Sequence, residues 1–423
     1  MGDCAASARN LASSNLLINL DRFDQPIGMD NDLIPAAEAC RILGVSTATL
    51  YAYVSRGLLE SRPGPDHRSR GYRRGEVERL AQRRHAGRGA ARGAAQSLDR
   101  GLPVLETRIS LIRPDGPYYR GRSAIEAVRS GATLEDVARI LWDCGSDDPF
   151  AAAPATRWPA SIARFAGDAA LPPLERTLAA IPLLGLDVQH SFSLSVAVRR
   201  EIAALLLRQN AALLLGRTPS VLPVHRRIGD AWLPGDAAFG ELVRATLVLS
   251  ADHELNVSAF AARVVASTGA HLHATVCSGL AALSGPRHGG AAARAHALIG
   301  AGADDVAARW ERGDELPGFG HALYPHGDPR AAELLAMLRQ RHGRTAAMRR
   351  LDALIARADE VSGLRPNLDL ALAAVCRLHA LPVGAALVLF ASGRLAGWLA
   401  HALEQQEQGG LIRPRAQYTG VGP

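Results

Sequence analysis

The chain has 423 residues, of which 48% are hydrophobic, so it is long enough to form more than one domain with a buried core. The formal net charge is +7 and every basic residue is an arginine, a bias that reads as genome composition more than as a functional choice. The five cysteines are scattered without a CxxC pair, which argues against a disulfide scaffold or a thiolate zinc site and favours a reducing cytoplasm.

The N-terminal part reads as a leader followed by a small helical unit. Residues 1–30 show no clear periodicity and are predicted to form a mobile leader. Residues 35–43 predict a short helix that Gly44 ends, and Ser46 is a suitable cap for a second helix up to residue 56. A basic loop and a further segment follow. Over residues 31–83 this arrangement resembles the MerR-type winged helix-turn-helix module.

That resemblance implies binding to duplex DNA. The second helix would enter the major groove while arginines of the basic loop contact phosphates. The residues expected to contact DNA are Thr47, Thr49, Tyr51, Arg68, Arg70 and Arg73. Two alternatives stay open, a helical hairpin with a solvated charged face and a module that docks to protein or stabilises a dimer.

The remainder of the chain predicts helices almost throughout. Residues 84–101 are rich in Arg, Gly and Ala and predict a linker, after which residues 106–112 read as a short strand. Apolar residues recur at helical spacing in the stretches 134–142, 196–215, 239–249 and 260–283. The last stretch is apolar or small nearly all round, which predicts burial between helices or at the interface of a homodimer. The longest apolar run, near residues 381–392, is too short for a membrane span, so we expect a soluble cytoplasmic protein.

Two glycine-rich stretches each carry a histidine. Gly285–Gly290 places His288 directly before an alanine-rich helix, where free backbone N–H groups can meet an anion. Residues 317–330 contain His321 and end with Arg330, a two-point donor for a carboxylate. One histidine in a glycine-rich loop is usually structural, but two such loops together favour a binding site. The remaining histidines lack metal-ligand spacing, and we predict no metal.

Five segments, in this order, resemble the signature segments of citrate synthases. They are ADHELNVSAF (251–260), GPRHGG (285–290), PGFGHALYPHGDPR (317–330), RPNLD (365–369), and GWLAHALE (397–404) with RPRAQYTG (413–420). The segments ETRISLIR (106–113) and YRGRSAIE (119–126) also match that family. The resemblance covers roughly residues 104–422 and implies a mainly all-α body of two domains. The large domain would comprise residues 102–286 and 378–423, and the small domain residues 287–377.

The resemblance also implies the chemistry, which is condensation of acetyl-CoA with oxaloacetate to give citrate and CoA. Asp369 would be the base that removes the methyl proton, and His288 would donate to the oxygen of the resulting enolate. His321 would donate to the carbonyl of oxaloacetate. The residues expected to bind the dicarboxylate are His253, Arg330 and Arg413. No cofactor is expected, since the CoA ester is a substrate.

The sequence also departs from the pattern of that family. Residues 291–293 are all alanine where relatives commonly carry Asn and Glu, and Ala322 stands where a basic residue is common. Relatives usually continue beyond the position of Pro423 to an arginine that reaches the partner subunit's active site, so that arginine is expected to be missing. Two other functions stay open. One is a transcription regulator that senses CoA esters or dicarboxylates, and the other is a condensing enzyme or citryl-CoA lyase for a different 2-oxo acid or acyl-CoA.

Overall fold

A computed structural model describes most of the chain beyond residue 104 and part of the chain before it. The described residues are 33–55, 59–63, 70–74, 76–77, 105–152, 157–186, 191–193, 195–382, 384–414, 416 and 418–420. The predicted leader and linker lie outside these residues. The chain divides into two compact units, one comprising the N-terminal Met1–Val104 with Gln417–Pro423 and one spanning Leu105–Ala416, and each is considered by itself.

The N-terminal unit contains two short helices and a small antiparallel sheet. Its elements are β1 (Leu33–Pro35), α1 (Ala36–Leu43), α2 (Thr47–Ser55), β2 (Ser61–Pro63) and β3 (Arg70–Arg73). Strand β3 lies between β1 and β2. Gly44 ends α1 with a positive φ of 62°, a conformation that glycine adopts without steric cost, as the sequence predicted. Leu50 and Tyr72 are fully buried in the core of this unit.

The larger unit begins with a three-stranded antiparallel sheet and is otherwise helical. The strands are β4 (Ser110–Arg113), β5 (Gly116–Tyr119) and β6 (Arg122–Ser123). The helices are α3 (Ala124–Arg129), α4 (Leu134–Leu141), α5 (Ala160–Ala166), α6 (Pro173–Leu184), α7 (Val196–Leu215), α8 (Val224–Trp232), α9 (Ala237–Ser250), α10 (Val257–Ser267), α11 (Leu272–Leu283), α12 (Ala291–Ala301), α13 (Ala303–Glu311), α14 (Pro329–His342), α15 (Ala346–Ser362), α16 (Leu368–Leu378) and α17 (Ala385–Gln408). The mainly helical fold class is confirmed.

Most of the helices predicted from apolar periodicity are present at the predicted positions. Helices α4, α7 and α9 match the stretches 134–142, 196–215 and 239–249. The prediction of continuous helix over residues 260–283 is wrong, because α10 ends at Ser267 and α11 begins at Leu272. Gly269, with a φ of 79°, turns the chain between them. Periodicity missed this break because small apolar residues lie on both sides of it.

Helix α17 runs through the centre of the larger unit and packs against α4, α7, α9, α10, α11 and α16. In the described part of the chain it is the one helix long and apolar enough to cross a membrane, but 83% of its apolar window is buried inside the protein. The sequence predicted an apolar run too short to span a membrane, but the helix that contains most of that run continues to Gln408 and is longer than predicted. Such burial is typical of a core helix.

Two groups of buried apolar side chains stabilise the larger unit. The larger core spans most of the helices, and a second core is formed by residues between Ala295 and Ala373, including Leu298, Phe319 and Leu354. Residues on both sides of the predicted domain boundaries contribute to the larger core. The boundaries at residues 286–287 and 377–378 therefore stay a prediction.

Candidate active site

A cavity of about 200 Å³ collects five of the six residues predicted for catalysis and substrate binding. The structure brings together His253, His288, His321, Arg330 and Asp369, although up to 116 positions separate them in the sequence. The other lining residues are Asn256, Arg287, Gly289, Ala291, Ala292, Asn367, Leu368, Leu372, Ala386, Leu387, Phe390 and Arg394. The histidines and the carboxylate lie in loops or at helix ends, so backbone contacts fix their positions.

Asp369 is the second residue of α16 and is held there by the cap of that helix. The side-chain oxygen of Asn367 accepts the backbone N–H of Asp369 at 3.0 Å, and its amide donates to the carbonyl of Gly320 at 2.9 Å. Asn367 thereby joins the start of α16 to the loop that carries His321. Burial raises the pKa of Asp369 to about 6, against the opposing effect of Arg330. A carboxylate with that pKa is well suited to act as a general base near neutral pH.

His288 lies in the turn between α11 and α12, and its Nε2 is 2.8 Å from the hydroxyl oxygen of Ser258. Its ring packs edge-on against Phe390. Burial, together with the positive charge of Arg394, lowers the pKa of His288 to about 4. The imidazole is therefore neutral at pH 7 and can donate a hydrogen bond without carrying a charge.

His321 and His253 are neighbours in the cavity, with ring centroids 5.2 Å apart. The Nδ1 of His321 accepts the backbone N–H of Leu323 at 3.1 Å, so the neutral ring carries its proton on Nε2. His253 Nε2 is 3.0 Å from the hydroxyl of Tyr324. Burial, with the nearby charges of Arg330 and Arg394, holds the pKa of His253 well below its ordinary value, which keeps this ring neutral too.

A close backbone approach fixes the loop that carries His253. The N–H of Gly397 on α17 donates to the carbonyl of Ala251 at 3.0 Å. A Cβ atom at Gly397 would come within 2.3 Å of an Asp252 carboxylate oxygen and 2.5 Å of that carbonyl, so only glycine fits there. This contact is the physical reason for a glycine in the segment GWLAHALE.

Arg330 is buried and paired with Asp328, whose carboxylate accepts its Nε at 2.9 Å and one terminal nitrogen at 2.8 Å. Burial opposes the charge of Arg330, but the Asp328 carboxylate outweighs it and raises the pKa of the guanidinium. The pair is bidentate, which fixes the plane of the guanidinium at the cavity wall.

A second buried cation at the cavity is Arg394, which sequence reasoning missed. It lies in the middle of α17, is 1% exposed, and donates from Nε to the carbonyl of Ser250 at 2.7 Å. Its guanidinium also lies over the ring of Phe390, 4.8 Å from the centroid. Burial lowers its pKa to about 10, which still leaves it charged at pH 7. The sequence signal that could have identified Arg394 was its position as a single arginine within a long apolar stretch, three residues before Gly397.

Arg413 does not line the cavity in a single copy of the chain, so its predicted role in binding the dicarboxylate stays a prediction. It is exposed in the segment that follows α17. That segment leaves the helix at Gly409, and the backbone N–H of Ile412 donates to the hydroxyl of Ser267 at the end of α10. The contact holds the segment along the surface, whereas the buried Arg394 lines the cavity.

The residues predicted to contact DNA differ in exposure. Thr47 is exposed and Tyr51 is 53% exposed, whereas Thr49 is half-buried and its hydroxyl lies 3.0 Å from that of Ser46. Arg70 and Arg73 are exposed at the two ends of β3, and Arg70 donates to the hydroxyl of Ser61 at 3.0 Å. Arg68 lies outside the described residues. Among the residues that the structure describes, no group of three or more His, Cys, Asp or Glu could hold a metal ion.

The sequence is similar to those of known citrate synthases. Residues 97–415 match the family model described as citrate synthase, C-terminal domain. The chain is 37% identical to citrate synthase 2 of Bacillus subtilis over 191 residues, 43% of this chain and 51% of that protein, so it spans about half the length of this relative. It is 29% identical to citrate synthase of Haloferax volcanii over 365 residues, 76% of this chain and 94% of that one.

A solved structure agrees with the fold. The citrate synthase of Thermoplasma acidophilum, in a ternary complex with carboxymethyl coenzyme A and oxaloacetate, superposes with a TM-score of 0.60. The two chains are 22% identical, and the match covers 76% of this chain and 95% of that one.

Proposed function

Because the chain belongs to the citrate synthase family, we propose that it condenses acetyl-CoA with oxaloacetate to give citrate and CoA. The observation that carries the proposal is the cavity that holds Asp369, His288 and His321 beside two buried arginines. A base and two imidazole donors around one small volume are what carbon–carbon bond formation from a thioester methyl group requires.

The first step uses Asp369 and His288. Asp369 accepts a proton from the methyl carbon of the acetyl group, and the electron pair of that C–H bond forms the enolate. The negative charge develops on the thioester oxygen, where the neutral ring of His288 donates a hydrogen bond. A pKa of about 6 makes Asp369 basic enough to accept the proton while it remains ionised at neutral pH.

The second step uses His321. The enolate carbon attacks the keto carbon of oxaloacetate, a new carbon–carbon bond forms, and the carbonyl oxygen gains a proton from the direction of His321. Because Nδ1 of His321 accepts the backbone N–H of Leu323, the ring proton lies on Nε2, and we assign the donation to that nitrogen. Water then cleaves the thioester of the bound product, releasing citrate and CoA.

The two arginines explain how a dianion is held. Arg330 and Arg394 are both almost fully buried and both line the cavity, and His253 adds a neutral polar group to the same wall. A guanidinium can donate to a carboxylate at two points, which fixes the orientation of the substrate and strengthens its binding. The Thermoplasma acidophilum citrate synthase binds oxaloacetate together with a CoA derivative in its ternary complex, which supports the same pair of ligands here. We propose no metal and no cofactor, since CoA enters as part of a substrate.

Release of free thiol measures the proposed reaction directly. The purified protein is incubated with acetyl-CoA or propionyl-CoA and a panel of 2-oxo acids, and the thiol is followed with a chromogenic reagent. We expect release with acetyl-CoA only when oxaloacetate is present, and equimolar citrate. Release with another pair at higher kcat/KM would reassign the substrates, and no release with any pair would favour the sensor function.

We further propose that the N-terminal unit binds duplex DNA through α2 and the arginines of β3. Exposed Thr47 and Tyr51 lie one turn apart on α2, and Arg70 and Arg73 are exposed. Phosphate neutralisation by such arginines would supply most of the affinity.

We also propose a cytoplasmic homodimer. Val257 on α10 is 69% exposed, and Phe192 and Leu186, which precede α7, are 72% and 78% exposed, so large apolar side chains are left for a second copy to cover. In such a dimer the exposed Arg413 would be available to the cavity of the partner. Arg413 would then fill the role of the second-subunit arginine that was expected to be missing.

A further inference from the structure

Ser258 lies at the centre of a buried hydrogen-bonded group beside the cavity. Its hydroxyl oxygen is 3.0 Å from the indole nitrogen of Trp398, 2.8 Å from Nε2 of His288 and 2.8 Å from the side-chain oxygen of Asn256. Ser258 and Trp398 are both 0% exposed, so water does not compete for these contacts.

The direction of one of these hydrogen bonds is fixed by chemistry. An indole N–H can only donate, so the Ser258 oxygen accepts from Trp398. The single hydroxyl proton must then go to Asn256 or to His288. The Asn256 oxygen already accepts the backbone N–H of Ala259 at 3.0 Å, which identifies it as the oxygen and makes it an acceptor only. Ser258 therefore has two competing acceptors for one proton.

The choice between these acceptors sets the tautomer of His288. When the hydroxyl donates to Nε2, the neutral ring carries its proton on Nδ1, the nitrogen that Ser258 does not contact. When the hydroxyl donates to Asn256, Nε2 itself must carry the proton and donate to Ser258. Nδ1 is then a bare acceptor and cannot donate to a thioester oxygen.

The indole favours the first arrangement. A hydroxyl that already accepts one strong donor is a better donor and a poorer second acceptor, because hydrogen bonds in a chain polarise one another in one direction. Trp398, Ser258 and His288 then form such a chain, with each group donating to the next. Without the indole N–H, the Ser258 oxygen is free to accept from His288, which favours the proton on Nε2.

The position of Trp398 is fixed by packing. Its ring lies directly against Gly279 on α11, where a Cβ atom would come within 2.7 Å of the indole. The glycine thus leaves the space that the indole needs to reach Ser258 on α10.

We propose that Trp398 is a positioning residue, whose indole N–H directs the Ser258 hydroxyl to His288 and so keeps a proton on Nδ1 of His288 for the acyl-CoA oxygen. The proposal rests on the proposed function, in which His288 is the donor to that oxygen. It assigns a role in the chemistry to a side chain that does not itself line the cavity.

Nitrogen-15 NMR of protein labelled at histidine tests the proposal, with the His288 signals assigned by comparison with His288→Ala. The chemical shifts of the two ring nitrogens identify which one carries the proton. We expect the Nδ1–H tautomer in the wild-type protein with carboxymethyl coenzyme A as probe. In Trp398→Phe we expect a shift toward the Nε2–H tautomer and a fall in kcat of about ten-fold, with a smaller change in the KM for acetyl-CoA.

Trp142→Phe is the matched control. Trp142 is also buried, and its indole N–H donates at 3.0 Å to the carbonyl of Ala396 on the same helix as Trp398. Loss of that N–H should leave the tautomer of His288 unchanged. Ser258→Ala is a second test, because it removes the hydroxyl between the two rings and leaves the indole in place. In this variant His288 should also lose its preference for the Nδ1–H tautomer.

Three results would overturn the proposal. They are an Nε2–H tautomer in the wild-type protein, an unchanged tautomer and kcat in folded Trp398→Phe, and an unchanged tautomer in Ser258→Ala. Because the NMR measurement needs no turnover, it distinguishes a failure of this proposal from a failure of the proposed reaction, which thiol release measures separately.

Discussion

Asp328 and Arg330 form a buried bidentate pair, and Asp328 also accepts the backbone N–H of Leu368 at 3.1 Å. One carboxylate thus fixes Arg330, the proposed substrate-binding arginine, and the first residue of α16, the helix that carries Asp369. The orientation of the proposed dicarboxylate site and the position of the proposed base are therefore mechanically linked through Asp328.

Asp328→Asn should weaken both functions of this carboxylate. The amide nitrogen of the new side chain would face a donor of Arg330 or of Leu368, so one of these hydrogen bonds is lost. The buried guanidinium of Arg330 would also lose its counter-ion. Removing one partner of a buried pair typically costs about 3–5 kcal/mol. We expect a lower urea midpoint and a higher KM for oxaloacetate. Asp352→Asn is the control, because its pair with Arg339 is about half exposed and should contribute less than about 1 kcal/mol. Equal effects of the two changes would contradict this account.

Asp369→Asn should remove nearly all condensation activity, because the amide occupies the site but cannot accept the methyl proton. General-base catalysis contributes on the order of 100- to 10,000-fold, and thiol release measures the loss. Activity within a few-fold of wild type would show that another group accepts the proton. In the wild-type enzyme kcat/KM should fall as the pH drops through about 6, where Asp369 becomes protonated.

The same substitution should stabilise the free protein at neutral pH. Burial raises the pKa of Asp369 from 3.8 to about 6, so the folded state binds the proton more tightly than the unfolded state does. Ionisation of Asp369 therefore destabilises the folded state. This destabilisation is absent below about pH 4 and complete above about pH 6, where it amounts to at most about 3 kcal/mol. Asp369→Asn should raise Tm at about pH 7.5 and have little effect at about pH 4. Asp230→Asn, at an exposed position, is the control and should leave Tm unchanged at both pH values. An equal gain in Tm for Asp369→Asn at both pH values would refute the burial argument.

Arg394→Lys should weaken binding of oxaloacetate more than it slows the chemical step. Lysine keeps the charge but loses the fork that donates to Ser250 while facing the cavity. Loss of one charge-assisted hydrogen bond corresponds to about ten- to a hundred-fold in affinity. The KM for oxaloacetate measures this change, with exposed Arg349→Lys as the control. An unchanged KM would remove Arg394 from the dicarboxylate site.

Subunit mixing tests whether Arg413 acts in the partner's cavity. Arg413→Gln and Asp369→Asn are each expected to be nearly inactive alone. If Arg413 acts across the dimer, a mixed dimer contains one site with both residues intact, so an equimolar refolded mixture should regain about a quarter of wild-type activity. If Arg413 acts in its own subunit, no site in the mixture is complete and no activity returns. Full activity of the Arg413→Gln variant on its own would show that Arg413 acts neither in its own subunit's cavity nor in the partner's.

Binding of the full-length protein to a mixed-sequence DNA duplex tests the N-terminal unit. Affinity should fall steeply between about 50 and 200 mM salt, because each neutralised phosphate releases counter-ions. Replacing both Arg70 and Arg73 by Gln should reduce the salt slope by about one for each phosphate that is no longer neutralised. Replacing Arg349 and Arg357 in the larger unit is the control. Absence of binding at about 50 mM salt would favour the docking alternative.

The sequence alone determined the fold class and most of the residues of the candidate site. Gly44 ends a helix, the periodic stretch 196–215 is one helix, and His288, His321 and Asp369 occur in short segments whose glycine, proline and asparagine residues fix the local backbone. The helix and its end depend on neighbouring residues, so a linear pattern is sufficient to predict them. The roles of the three site residues were implied by the resemblance of their segments to those of citrate synthases.

Only the tertiary structure decided which distant groups share the cavity and in what state. Arg394 was missed because its sequence context is that of a core helix, and its role depends on which side of α17 faces the cavity. Arg413 does not line the cavity of its own chain, and a motif alone does not specify where the chain runs after a helix ends. The pKa of about 6 at Asp369 and about 4 at His288 likewise arise from burial by residues far away in the sequence, and desolvation is a property of the packed structure.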